Sequence, residues 1–143
     1  MIDPKHMGKS VTYDSLHQSA RHYRGERNYC SVIAVAVSAG IKFGKARSLF
    51  ERHGRTTGWG TYQPQQEAAL AECGLRMERE RDLSFFCSGT HLCLVTKRLP
   101  NKGTFLVYTC GHVSVVKDGI LEDWSARKGR GARKRIISIY RVV

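Results

Sequence analysis

Cys30-Ser31-Val32-Ile33-Ala34-Val35-Ala36-Val37-Ser38-Ala39-Gly40 is the stretch on which the reading of this chain turns. It is apolar nearly all round, so it belongs in an interior. Its β-branched valines would suit a strand, and periodicity alone leaves the choice open. The interleaved alanines and the closing Gly40 favour a helix. The expectation is a buried central helix whose first residue is a cysteine.

Outward from it, Tyr13 to Tyr23 reads as a polar helical lead-in and Arg24 to Asn28 as a loop. Lys45 to His53 predicts a second helix, since Ala46, Leu49 and Phe50 form an i, i+3, i+4 stripe. A turn-rich loop follows and carries Trp59. Gln63 to Cys73 predicts a third helix, with Pro64 in its first turn and Gly74 as its stop. Leu75 to Phe86 reads as extended and partly irregular, and Thr90 as the cap of a short helix through Arg98. The remainder reads as strand: Thr104 to Thr109, His112 to Val116, Ile120 to Glu122 and Ile136 to Val142. Asp118-Gly119 is a strong hairpin signal between two of them. Helices first and an antiparallel sheet afterwards make an α+β layout, with N-terminal helices packed on a C-terminal sheet.

The 143 residues fit a single domain over 11–143, with residues 1–10 read as a disordered or vector-derived lead. Hydrophobic residues at 41% and charged residues at 25% describe a globule with a real core. No apolar run approaches the roughly 20 residues that span a bilayer, and the N-terminus has no signal-like apolar segment. The five cysteines are odd in number and form no CxxC pair, which argues against a disulfide framework and for a reducing cytosol. Cys87, His91, Cys93 and Cys110 have the right chemistry for zinc but match no common zinc spacing, so no metal and no other cofactor is expected. Most of the cysteines, Cys110 included, read as small core residues.

Chemistry enters with Cys30. A thiol becomes a nucleophile near neutral pH when its environment favours the thiolate and a base stands close by. A helix start favours the thiolate, and its backbone N–H groups can also receive an oxyanion. Gly111-His112 opens a strand, a position from which an imidazole can face a helix end. The hairpin turning at Asp118-Gly119 brings Asp123 back toward His112, where a carboxylate can orient the ring. Trp124 follows and can shield that hydrogen bond.

The order Cys30, His112, Asp123, with cysteine at a central helix start and the others on consecutive strands, resembles the papain-like superfamily. More narrowly, Asn28-Tyr29-Cys30-Ser31-Val32-Ile33-Ala34 and the segment from Gly111 to Trp124 look like compact cysteine-peptidase-like proteins of bacteriophages. Those are similar to the bacteriocin-processing, C39-like peptidases. The resemblance covers about residues 23 to 142. It implies a papain-like fold, thiol chemistry on an amide and no metal. Papain relatives carry a Gln six residues before the nucleophile; here that position is Arg24. Asn28 and Gln18 are the candidates to complete an oxyanion hole. The Cys30-to-His112 separation, 82 residues, is short beside the roughly 130–150 of papain and cathepsins, so only a trimmed version of the fold fits.

Two further features bear on partners. Trp59 and Tyr62 flank Gly60 and, with Trp124, are candidates to line a substrate cleft, although aromatics packing under a loop are commoner. Arg127, Lys128, Arg130, Arg133, Lys134 and Arg135 place six positive charges in nine residues of a chain with net charge +12. Such a run is often a solvated loop, and it can also form a basic lip that draws acidic substrate or nucleic acid. The sequence therefore predicts a cytoplasmic cysteine hydrolase acting on a peptide or side-chain amide, in the host cytoplasm if phage-encoded. Its partner would be a protein or peptide, with a host protein included. The alternatives are a catalytically weak papain-like scaffold that binds or inhibits a host protein, and a nucleic-acid binder acting through residues 127–135. No nucleic-acid-binding motif supports the last, and no membrane partner is expected.

Overall fold

The structure is a computed structural model that describes residues 13–122 and 133–143. The predicted lead at residues 1–10 lies outside them. The chain divides into two compact units, Met1–Arg76 and Met77–Val143.

The first unit is helical: α1 (Tyr13–Ala20), α2 (Cys30–Ala39), α3 (Phe43–Arg52) and α4 (Gln63–Glu72). In α2 the residues from Ser31 to Val37 are all buried, as its all-round apolar sequence requires. Gly40 ends the helix in the left-handed conformation, and its N–H and that of Ile41 close back on Val37 and Ala36 carbonyls. Helices α1, α3 and α4 pack against α2. The second helix begins two residues before its predicted start, because Phe43 is fully buried and joins the stripe of Ala46, Leu49 and Phe50. Tyr23 and Tyr29 both pack on Phe43, with ring centroids 5.4 and 5.8 Å away.

The second unit holds β1 (Met77–Arg79), α5 (Arg81–Cys87), a 3-10 helix (Leu92–Lys97), β2 (Thr104–Thr109), β3 (His112–Lys117), β4 (Ile120–Glu122) and β5 (Ile136–Val142). All strand pairs are antiparallel, in the spatial order β1-β5-β2-β3-β4. Phe105 pairs with Val116, Val107 with Ser114 and Ile139, and Val116 with Leu121. Strand alternation therefore puts these apolar residues on one face. They pack there with Leu83 and Cys87 of α5 and with Leu92, Val95 and Leu99. Leu106, Val113 and Val115 alternate to the other face and are buried as well. The Asp118-Gly119 hairpin forms as predicted, both residues having positive φ, 50° and 82°.

The α+β class holds, and two local expectations do not. The segment read as extended from Leu75 to Phe86 is strand only over β1 and then becomes α5. Leu83 and Cys87, one helical turn apart, are the residues that reach the core. Ser84 fastens the helix to the sheet: its hydroxyl donates to the Ile139 carbonyl (3.2 Å) and accepts the Ile139 N–H (2.9 Å). Thr90 does not cap the following helix. Its N–H and C=O are spent on Cys87 and Ile136, and His91 takes the cap position. Since Ser84 is buried, Ser84→Ala leaves the Ile139 N–H without that acceptor and should cost about 1–3 kcal/mol. Urea unfolding measures it; an unchanged midpoint would show that the clamp is dispensable.

Candidate functional site

The local geometry around Cys30 is set by charge. Tyr29 occupies the N-cap of α2 with no side-chain cap bond, and no acidic residue stands in the first turn. A helix start carries backbone donors without intrahelical acceptors and a partial positive charge, and here no carboxylate of the helix offsets it. Cys30 itself is half-buried, and its thiol forms no disulfide.

The loop leading into Cys30 is locked by an ion cluster that sequence reading did not single out. The Glu26 carboxylate takes hydrogen bonds from Arg55 Nη1 (3.1 Å) and Nη2, from Arg47 Nε (2.8 Å) and from the Gly58 N–H (3.0 Å). The side chains of Glu26 and Arg55 are both fully buried. Burial pushes the Glu26 carboxyl up, but the bonds from Arg55, Arg47 and Gly58 and the Arg55 charge outweigh it and hold the group at about 2. Arg55 also donates to the carbonyls of Trp59 and Arg27, and Arg47 to Thr57. Two loops, 24–29 and 55–61, are thereby sewn together. At their closest, a Cβ on Gly58 would stand 2.8 Å from the Gly25 carbonyl, and Gly58 has φ +84°, so only glycine fits.

Neighbouring bonds complete the seam. Asn28, in the left-handed region at φ 52°, donates its side-chain amide to the Gly58 carbonyl at 3.0 Å. Gln66 donates to Thr61 (3.0 Å), and Thr61 donates to the buried hydroxyl of Ser31 (2.6 Å), the residue after the cysteine. The loop carrying Trp59 and Tyr62 is thus tied to both sides of Cys30 in sequence. Both aromatics are largely exposed, at 70% and 79%, rather than packed under the loop. Of the two oxyanion candidates, Asn28 has an amide N–H committed to the Gly58 carbonyl. Gln18 is exposed on α1, and Arg24 is exposed too.

In the second unit, His112 opens β3 directly after the tight turn at Cys110-Gly111 and is half-buried. It pairs in register with Thr109 and shares a face with Ser114 and Val116. Asp123, Trp124, Arg127, Lys128 and Arg130 lie outside the described residues. Of the basic run, Arg133 and Arg135 are exposed and Lys134 is half-buried. Arg135 Nη1 donates to the Gly89 carbonyl at 2.6 Å.

The cysteines are less uniformly interior than their composition suggested. Cys87 is buried, Cys30 and Cys73 are half-buried, and Cys93 and Cys110 are exposed. Cys110 falls in the turn between two strands rather than on one, which takes it off the inward-facing alternation. Among the described residues no group of His, Cys, Asp and Glu could hold a metal ion. None of the described helices is long and apolar enough to cross a membrane. The chain matches no protein-family model, no curated protein and no solved structure.

The ion cluster left little signal in the sequence. Arg47 and Arg55 lie 21 and 29 residues from Glu26, and in so basic a chain they read as surface charges. The nearest hint was glycine: Gly25 and Gly58 both punctuate charged loops where close backbone approach is needed.

Proposed function

We propose that this chain is a thiol hydrolase of papain-like architecture, with Cys30 as nucleophile, His112 as general base and acid, and Asp123 orienting His112. The observation that carries the reading is Cys30 itself: a half-buried thiol opening an uncapped, buried helix, behind a loop made rigid by Glu26, Arg47 and Arg55. The α+β layout and the resemblance to phage-encoded peptidase-like proteins support it. In the reaction the Cys30 sulfur bonds to an amide carbonyl carbon, and the α2 amides with the second N–H of Asn28 receive the oxyanion. Collapse breaks the C–N bond, and His112 gives the thiol's former proton to the leaving amine. Water, losing a proton to His112, then cleaves the thioester and releases acid and thiol. Trp59 and Tyr62 supply apolar surface for the substrate chain. Peptide-bond cleavage and side-chain deamidation share these steps, so the substrate class is a protein or peptide amide.

Alkylation with iodoacetamide at pH 6.5, read by mass spectrometry at each cysteine, tests this. Exposure alone favours Cys93 and Cys110. Activation reverses the order, and Cys30 should react at least about fivefold faster than either. Rates that simply follow exposure would end the hydrolase reading.

One observation favours a second reading. Arg24 stands where papain relatives carry the oxyanion glutamine, and Asn28 is half spent on Gly58. A scaffold so built binds a protein chain across Trp59 and Tyr62 with little turnover. It predicts a stable complex with a peptide that emerges uncleaved.

A further inference from the structure

A second surface, confined to the sheet unit, has a chemistry that amide hydrolysis does not use. An open groove of about 410 Å³ is lined by Arg79, Arg81, Ser84, Phe85, Ser88 and Ile137. Phe85 is 87% exposed, and Ile137 is 56% exposed. Ile137 reaches the groove through an irregularity in β5: Tyr108 pairs with Ser138 and Thr109 with Ile136, so Ile137 is the extra residue and turns outward. The neighbouring Phe86 already has a partner on its ring, the Arg98 guanidinium 4.7 Å from its centroid. No guanidinium stacks on Phe85 among the described residues.

The basic side chains beside Phe85 outnumber the acidic ones: Asp82 stands in the first turn of α5, but no ion pair ties it to Arg79 or Arg81 among the described residues. Glu80 stands between Arg79 and Arg81 in sequence, but its carboxylate is bound by Arg141 at 2.7 Å. Neither Arg79 nor Arg81 pairs with a carboxylate among the described residues. Arg135 does not line the groove; its Nη1 donates to the carbonyl of Gly89, the residue after the lining Ser88. An exposed aromatic face between unpaired guanidinium groups matches a ligand that alternates planar rings with regular negative charges. Single-stranded nucleic acid has that pattern. An acidic peptide supplies the charge but not a planar face at each step.

We propose that this groove binds single-stranded nucleic acid, with a base stacked on Phe85 and phosphates held by Arg79 and Arg81. None of the groove's lining residues takes part in the proposed hydrolysis, and the site does not require the hydrolase reading. Base–aromatic stacking tolerates any base, so the binding is sequence-tolerant and depends strongly on salt.

The test is fluorescence anisotropy of the full chain with labelled oligo-dT and oligo-rU of about 12 nucleotides, between about 50 and 200 mM salt. Phe85→Ala should weaken binding about tenfold. Replacing Arg79 and Arg81 together with Ala should reduce the slope of log affinity against log salt by about 1.4. Cys30→Ala should change neither. The stronger of the two oligonucleotides tells DNA from RNA. Because Phe85 is solvent-facing, its replacement leaves the core intact, and circular dichroism of the variant checks that. Binding that ignores Phe85→Ala but disappears with Arg133→Ala and Lys134→Ala would overturn the proposal in favour of the basic run alone. So would an acidic, phenylalanine-containing peptide that binds in a Phe85-dependent way while neither oligonucleotide binds.

Discussion

Glu26→Ala lowers the unfolding free energy by about 3–5 kcal/mol, the cost of leaving a buried guanidinium without its counter-charge. The variant strands Arg55, whose side chain is fully buried, and frees the Gly58 N–H and Arg47. Glu26→Gln keeps the volume and one acceptor but not the charge, and it falls between the two. The pH dependence has a definite sign. The folded carboxyl sits at about 2 against an ordinary 4.5, so the folded state binds the proton less readily than the unfolded chain. The corresponding stabilisation, about 3 kcal/mol, is fully present above the ordinary value and is lost as pH falls through 4.5 toward 2. Urea titrations of wild type and Glu26→Gln from pH 6 down to pH 3 read this directly. The wild type should lose stability steeply over that span, and the variant should lose less. Parallel curves would show that Glu26 contributes nothing through its charge.

His112→Ala carries the second large effect, and it follows from the proposed chemistry. General acid–base catalysis by a positioned side chain supplies about 10²–10⁴ in rate, so turnover of a fluorogenic peptide-amide panel should fall by that factor. Alkylation of Cys30 should respond more weakly. Bringing a thiol's pKa down to the ambient pH raises the thiolate fraction about 50-fold but weakens its intrinsic nucleophilicity, leaving a net gain of roughly fivefold to tenfold. That gain is what His112→Ala should remove at pH 6.5, while Cys93 and Cys110 keep their rates. A variant that alkylates Cys30 at the wild-type rate would separate the imidazole from the thiol and leave the protein-binding scaffold as the better reading.

Local chemistry explains which parts of this molecule were legible in the sequence. The helix from Cys30 and its stop at Gly40 could be read because alanines, valines and a glycine act within a few residues of one another. The Asp118-Gly119 hairpin is equally local, and the strands on either side of it fall where their β-branched runs place them. Helix α5 was misread because its stability is not local. It is seven residues long and exposes Phe85 and Phe86, and its anchor, Ser84, bonds to a strand 55 residues away. The rigid setting of Cys30 was hidden for the same reason. Charge at Arg47 and Arg55 resembles solvated surface until the fold brings Glu26 between them. The candidate nucleophile was therefore visible from a helix start, while the groups that hold it in place were not.

The two outermost strands of the sheet, β1 and β4, are three residues each. At about 3.4 Å per residue each presents only about 10 Å of ladder to an incoming polypeptide. Two of the three residues in β1 are charged, and β4 ends in Glu122. A foreign strand docking there would gain few backbone bonds and would have to strip water from ionised groups. Growth of this sheet into fibrils by edge addition is thus disfavoured at both of its described ends.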